Sequence, residues 1–434
     1  MRGKANLGAR VFKGALWLYG LRLVTKLVGL ASSIILARLL TPRDFGLVGI
    51  ATLVIGLLEV FSRSGLEHSI IQKPHVNRQE LDALWTFDVL RGIVLAGLVM
   101  IIAPYIGRFF GSPGSVPVLR AMSVVCILMF LRSMDMVVST KELDFRKVFF
   151  IDGAQAIVST VAGIVYALFF PDVWALVVSR VSGYLTRSIV SFIVTSSRPR
   201  LVWDWPVVSY HLDYGRQILI SGIGQYLHIN IDDWFVGRLL GESALGFYRK
   251  AYGLGNLPTT ELTLVLARVL FPSFSNLRDD RQRLGSAFLR VQRTLALVVA
   301  PMSAMLFFFA DSLVYVLFGE RWMPMVPAFR ILVLWGALRA HRSTLASILR
   351  AVGYPILEAY TVFPKLVLLA ILLWPAHQYG IAGVAGAVLL TAVLEFPVLM
   401  NLAAHQIEIL PITIYRSIWL PSLVAFCAGG ASHL

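Results

Sequence analysis

The residues best placed to do chemistry are polar side chains set inside long apolar stretches. Arg22 and Lys26 stand four apart, on one face of a helix, and Thr25, Gly29 and Ser33 extend that stripe. A charge at mid-bilayer costs roughly 2.5–3.5 kcal/mol, so such residues turn toward a cavity or a partner. There a guanidinium and an ammonium would replace the water that an anionic ligand gives up. Snorkelling to the nearer interface suits Arg22 better than Lys26. Farther on, Ser221, Gln225, His228 and Asp232 recur at helical spacing, with Asn230 on a neighbouring face. Tyr248, Tyr252, Asn256, Thr260 and Thr263 follow, beside Gly253, Gly255 and Pro258, which predict a bend. Such groups either line a wet lumen and bind ligand hydroxyls or hydrogen-bond between packed helices. Arg63 and Arg268 mark the inner ends of two further stretches, as cavity cations or interfacial anchors.

Two pairs sit three residues apart, Asp88 with Arg91 and Arg132 with Asp135, and read as internal ion pairs that lower the insertion cost. Asp88, Glu59, Asp152, Glu358 and Glu395 are the carboxylates from which a proton or sodium site would be drawn. Nothing points to catalysis. The chain has no phosphate-binding glycine loop ending in Lys-Ser/Thr and no His-Glu-x-x-His. Cys126 and Cys427 lie in apolar runs, so neither a disulfide framework nor a metal site is indicated. No cofactor is expected.

The elements that must position these groups are membrane helices. Of 434 residues, 57% are hydrophobic and 15% charged, against about 45–50% and 25% in soluble chains. The excess must face lipid, where a span takes roughly 20 apolar residues. Val161–Phe170 and Leu366–Pro375 are continuously apolar, which excludes the alternation of a barrel strand. Spans are expected at 12–38, 45–63, 83–108, 115–137, 148–170, 173–195, 214–238, 244–274, 287–317, 325–350, 356–376, 381–402 and 412–430. The domains follow: an N-terminal lobe 1–195 (spans 1–6), a cytoplasmic linker 196–213, a C-terminal lobe 214–404 (spans 7–12), and an additional span at 405–434.

The net charge of +15 reads as the lysine and arginine excess of cytoplasmic loops, not as a nucleic-acid footprint. Arg2, Lys4, Arg10 and Lys13, then Arg63, Lys73 and Arg78, then Lys141, Arg146 and Lys147 fall on one side, with a cytoplasmic N-terminus. Arg22 and Lys26 interrupt what would be the apolar core of a signal peptide. An internal echo gives the internal symmetry. Arg38-Leu39-Leu40-Thr41-Pro42-Arg43-Asp44-Phe45-Gly46 matches Arg238-Leu239-Leu240-Gly241-Glu242-Ser243-Ala244-Leu245-Gly246 at a constant offset (238 − 38 = 200). Phe109-Phe110-Gly111 and Pro117–Arg120 are echoed by Leu317-Phe318-Gly319 and Pro327–Arg330. Six spans separate the copies, as in a parallel repeat about an axis along the membrane normal. The expected fold is an all-α integral membrane protein of about 12–14 transmembrane helices, with two six-helix bundles related by a parallel pseudo-two-fold repeat.

Ala37–Pro42 with Phe45-Gly46, Leu143-Asp144-Phe145-Arg146, Val173-Trp174-Ala175-Leu176-Val177, Asn230-Ile231-Asp232-Asp233 and Gly237–Gly241 recur in this order. Leu245-Gly246-Phe247-Tyr248, Leu270-Phe271-Pro272-Ser273-Phe274 and Phe318-Gly319-Glu320-Arg321-Trp322 continue it. The series resembles the polysaccharide transporter family, the Wzx-type flippases of the multidrug/oligosaccharidyl-lipid/polysaccharide superfamily. It is most like the branch of colanic-acid-like and succinoglycan-like exporters, over about 10 to 405. The resemblance implies two bundles in a V around a cavity, with spans 1, 2, 7 and 8 at the lobe interface. It also implies export of an undecaprenyl-pyrophosphate-linked oligosaccharide across the inner membrane. The partners implied are that lipid-linked oligosaccharide, membrane lipid, and polymerase and chain-length or export proteins of the same pathway. Two alternatives stay in view: a membrane-bound polymerase or glycosyltransferase, which needs a large outer loop, and a drug/cation antiporter, which needs an acidic cavity where span 1 is basic.

Overall fold

The structure, a computed structural model, describes residues 20, 24–62, 65–73, 75–142, 144–195 and 198–433, through the backbone alone at 68, 213–221, 257, 258, 261, 262, 264–269, 432 and 433. Helix α1 covers 24–39. It is followed by α2 (Pro42–Phe61), α3 (Leu66–Gln72), α4 (Arg78–Phe109), α5 (Ser115–Phe130), α6 (Asp135–Lys141), α7 (Phe145–Phe169), α8 (Trp174–Thr195) and α9 (Trp205–Phe235). A short π-helix, Val236–Leu240, leads into α10 (Glu242–Ser275). Then come α11 (Arg281–Phe308), α12 (Ala310–Phe318), α13 (Val326–Ala351), α14 (Pro355–Ala376), α15 (Gly380–Gln406) and α16 (Pro411–His433). No strand occurs among the described residues.

Eight described stretches are long and apolar enough to cross a membrane; one of them, Pro355–Gln406, holds both α14 and α15. The bent pair α5 and α6 adds a ninth. At 31 and 34 residues, α9 and α10 also exceed the roughly 20 that a span requires, and they carry the polar stripe predicted above. The side chains confirm what surrounds the protein. On α4, Leu90, Val94, Ile101 and Tyr105 are exposed while Leu84, Leu95, Val99 and Ala103 are buried. Water would not tolerate that outer face, and lipid requires it. This is a multi-pass integral membrane protein.

The chain forms two compact units, residues 1–230 with 241–243 and residues 231–240 with 244–434. In the first, Thr41-Pro42-Arg43-Asp44 is a capping box: the Asp44 carboxylate accepts the Thr41 N–H at 2.9 Å, and the Thr41 hydroxyl accepts the Asp44 N–H. Pro42 fits there because a first-turn N–H has no helical partner to lose. A Cβ on Gly46 would fall 1.7 Å from the Glu242 carbonyl oxygen, so only glycine lets α2 meet the 241–243 turn. Arg43 reinforces the contact, its Nε 2.7 Å from Glu242 Oε1. Helix α9 begins at Trp205, inside the expected 196–213 linker. Asp204 accepts the Val207 N–H at 3.2 Å, and Val208 is buried with Leu66, Ile70, Leu84 and Val137.

The expected single span 115–137 is broken, with a 56° bend between α5 and α6. The Ser133 N–H donates to Ser191 Oγ of α8 at 2.9 Å instead of continuing the helical ladder, and the Thr195 hydroxyl donates to Ser133 Oγ. The bend removes the helical register between Arg132 and Asp135, so the ion pair expected of them is not made. Arg132 pairs with Glu67, and Asp135 with Arg78 at 3.2 Å. Span 287–317 is likewise two helices, parted at Phe309.

In the second unit, Leu270, Phe274, Phe288, Leu345, Ile348, Leu399 and Met400 form a core shared by α10, α11, α13 and α15. Gly253 and Gly255 lie within α10. Gly255 and Gly336 let α10 and α13 approach: Cβ atoms there would stand 3.4 Å from the Val333 nitrogen and 2.9 Å from Asn256 Oδ1.

Candidate functional site

Of the basic stripe on span 1, Lys26 is exposed on α1. Arg22 and Arg63 lie outside the described residues, as does the side chain of Arg268, whose backbone lies in α10. Beside Lys26 on α1, Thr25 and Gly29 face a cavity of about 280 Å³ with Gln155 and Ser159 of α7 and Ser179, Arg180 and Tyr184 of α8. Small residues build it. Cβ atoms on Gly163 and Gly183 would come within 2.8 Å of Ser179 Cβ and Ser159 Cβ, so α7 and α8 pack closely along this polar face. Asp152 and Arg187 pair across the same two helices at 3.2 Å.

Asp88 and Arg91 stand 3.1 Å apart in α4. Arg91 also donates to the Ser62 carbonyl at 3.1 Å and covers the Phe130 ring 4.0 Å from its centroid. The last two contacts tie α4 to its neighbours, which is a structural role.

Along α9, Gln225 is exposed and His228 half-buried. Asn230 donates to the Tyr226 carbonyl at 2.9 Å. The farther polar positions are interior to the second unit. Asp232 is 5% exposed and Tyr248 0%, and the Tyr248 hydroxyl donates to Asp232 Oδ2 at 2.7 Å. Arg249 stands 3.6 Å from Asp233. Asn256 is buried and donates to the Tyr252 carbonyl at 2.9 Å. Of the two roles open to this stripe, Asp232, Tyr248 and Asn256 take the hydrogen bonding between and within helices; Gln225 keeps an open face.

Several basic groups escaped the sequence reading, among them the partners of Glu358 and Glu395. Arg339 donates to the Thr260 hydroxyl and lies over the Trp335 ring, 5.3 Å from its centroid, with Tyr252 beside that ring. Lys365 Nζ stands 2.8 Å from Glu395 Oε2, and Arg342 Nε 2.8 Å from Glu395 Oε1. The Thr361 hydroxyl also donates to Glu395, and Glu358 lies 3.7 Å from both Arg342 and Arg350. A lone lysine in the apolar 355–376 run was visible; that Glu395, thirty positions on (395 − 365), neutralises it was not. In the first unit, Gln155, Ser159, Ser179, Arg180 and Tyr184 were equally overlooked. Their signal was polar residues at helical spacing opposite an apolar stripe. No group of His, Cys, Asp and Glu suited to a metal occurs among the described residues.

These features, many apolar helices with polar and charged groups set inside two units, define an all-α membrane protein built around internal polar surfaces. Residues 35–327 match the model of the family described as polysaccharide biosynthesis protein, and the chain belongs to that family. It is 25% identical over 429 residues to the lipopolysaccharide biosynthesis protein WzxC of Escherichia coli (strain K12), covering 96% of this chain and 85% of that one. It is 24% identical over 323 residues to the succinoglycan biosynthesis transport protein ExoT of Rhizobium meliloti (strain 1021), covering 74% and 65%. Its fold matches the solved inward closed conformation of the lipid II flippase MurJ with a TM-score of 0.75, at 12% identity over 97% of this chain and 92% of that one.

Proposed function

We propose that the chain is a flippase for lipid-linked oligosaccharides, moving an undecaprenyl-pyrophosphate-linked repeat unit across the inner membrane for exopolysaccharide, capsule or O-antigen synthesis. The observation that carries this reading is the family match over 35–327 in a multi-pass, all-α chain. The names of its relatives, a succinoglycan biosynthesis transport protein among them, support transport over synthesis. The physical problem is that the sugar–pyrophosphate head is too polar for hydrocarbon while the polyprenyl tail is at home there. A protein of this kind shelters the head and leaves the tail in lipid.

In this reading Lys26, with Arg22, Arg63 and Arg268, offsets the pyrophosphate charge, and Gln225 and His228 meet sugar hydroxyls. The halves are parallel repeats that alternate in access, coupled to an ion gradient. The N-terminus is cytoplasmic, and polymerase and chain-length proteins of the pathway are the partners. Cysteine labelling at Asp172 and Arg200 tests the orientation, since these positions belong on opposite faces.

The transport test uses vesicles holding the purified protein and a fluorescent lipid-linked oligosaccharide, with an impermeant quencher outside. Quenching is expected to pass the outer-leaflet half, and Lys26→Ala to slow it about tenfold, the loss of one charge-assisted contact. Quenching that stops at one half, as in empty vesicles, would sink the proposal.

A further inference from the structure

Between α8 and the first turns of α9 the chain turns large side chains outward. Residues 198–204 are not helical, and from Leu201 to Trp205 exposure alternates: Leu201, Trp203 and Trp205 are exposed, Val202 and Asp204 are not. That period of two puts the three exposed side chains on one side. The indoles of Trp203 and Trp205 stack there, their centroids 6.1 Å apart. Tyr210 is exposed in the second turn of α9. The other side of the segment is bound to the protein. The Val202 N–H donates to the Thr86 hydroxyl of α4 at 3.1 Å. Val208 and His211 are buried, with His211 Nδ1 standing 2.6 Å from Ser69 Oγ of α3. The aromatic row therefore sits on a fixed base.

Water does not suit this row, because two indoles and a leucine on one side make an apolar patch of the kind that marks a contact surface. Hydrocarbon does not suit it either. A non-helical backbone leaves N–H and C=O groups without partners there, and Arg198 and Arg200 stand exposed in the same stretch. The boundary between the two environments fits. Indole and phenol rings have an apolar body and a polar tip, and they collect at the level of lipid headgroups. The place in the chain agrees. Thr195 ends α8, a helix long and apolar enough to span, on which Ile189 and Ile193 are exposed, and α9 begins at Trp205.

The charge on this stretch selects the lipid. The Asp204 carboxylate is engaged at the start of α9, where it accepts the Val207 N–H. Arg198 donates to the Phe192 carbonyl at 3.0 Å. The Arg200 guanidinium is exposed and makes no hydrogen bond or ion pair with the described residues. A guanidinium takes a phosphate through two parallel N–H bonds. At an anionic bilayer surface one basic residue strengthens binding roughly fivefold.

We propose that Arg200, Leu201, Trp203 and Trp205 form an interfacial anchor that binds the headgroups of anionic phospholipids. The rings lie at headgroup depth and the guanidinium on lipid phosphate. Such an anchor is independent of what the chain transports.

The test places the full chain, as Cys427→Ser with Leu201→Cys, in nanodiscs and labels position 201 with a nitrobenzoxadiazole dye; Cys126 is buried and stays. Lipids bearing a nitroxide near the glycerol backbone should quench the dye. Nitroxide-labelled phosphatidylglycerol should match labelled phosphatidylcholine at about one-fifth of its concentration, and Arg200→Gln should bring the two close to parity. Raising the salt should shrink the same advantage in the parent itself, so the test does not rest on one variant. Equal quenching by the two lipids, an advantage unchanged in Arg200→Gln and in high salt, or a dye reached by aqueous iodide and by neither lipid would each overturn the assignment. So would a dye that no quencher reaches, the mark of a second copy or a partner protein on this face.

Discussion

In the first unit, Gln155, Ser159 and Arg180 turn polar atoms onto a cavity of about 280 Å³; in the second, Lys365, Arg342 and Glu395 turn theirs onto one another. Both sets stand within spans whose other faces are apolar, and both carry the cost of polar groups in hydrocarbon. The second set meets that cost internally. Two cations share one carboxylate across α13, α14 and α15, with side chains of Lys365 and Glu395 only 8% and 3% exposed. The first set lines a recess, with the Ser159 hydroxyl donating to the Ala156 carbonyl at 3.0 Å. An ion cluster closed on itself holds helices together, whereas a recess leaves room beside its lining. Substitution in the two regions should therefore be felt in different measurements.

The largest effect is expected at Glu395→Ala, which leaves Lys365 and Arg342 buried beside a vacated carboxylate. Breaking one partner from a buried ion cluster costs about 3–5 kcal/mol, read as a lower Tm in detergent or as lost expression. Replacing Lys365 by Met and Glu395 by Leu together should recover much of it. A single variant with wild-type Tm would show that the cluster does not hold the second unit.

Next comes Gly46→Ala. The added methyl would meet backbone, the Glu242 carbonyl, at 1.7 Å, and a contact that cannot rotate away should cost about 3 kcal/mol. Thermal unfolding of the variant checks it; an unchanged Tm would mean that the 241–243 turn is free to move.

Tyr248→Phe removes the hydroxyl that donates to the buried Asp232. An acceptor left without its donor costs about 1–3 kcal/mol, and Asp232→Asn in the same background should make the loss smaller than the sum of the two. Strict additivity would argue that the two groups do not act as a pair.

The smallest effect is expected at Gly29→Ala, in the cavity lining. No atom lies within 4 Å of the new Cβ, and stability should stay within about 0.5 kcal/mol of the parent. A loss comparable with that of Glu395→Ala would erase the contrast between an open first region and a closed second one.

The membrane, the helices and most span limits were legible in the residues themselves, because hydropathy and helical periodicity are local properties. The expected spans at 45–63, 173–195, 325–350 and 356–376 fall within a few residues of α2, α8, α13 and α14. Breaks in the chain were less legible. Nothing in Leu131–Met134 announces that Ser191, on a helix far along the chain, takes the Ser133 N–H, and with that break the Arg132–Asp135 spacing lost its meaning. Asp232, Tyr248 and Asn256 are buried, Tyr248 donating to Asp232 and Asn256 to the Tyr252 carbonyl of its own helix, partners that helical spacing alone does not give.

A helix sequence determines which side chains stand together on a face. It says nothing about what that face meets, since the neighbours come from distant positions, as Glu395 does for Lys365. The sequence of this protein by itself determined that it spans a membrane as helices and that polar groups lie inside. Only the packing of those helices decided which polar groups cancel one another and which are left around a space.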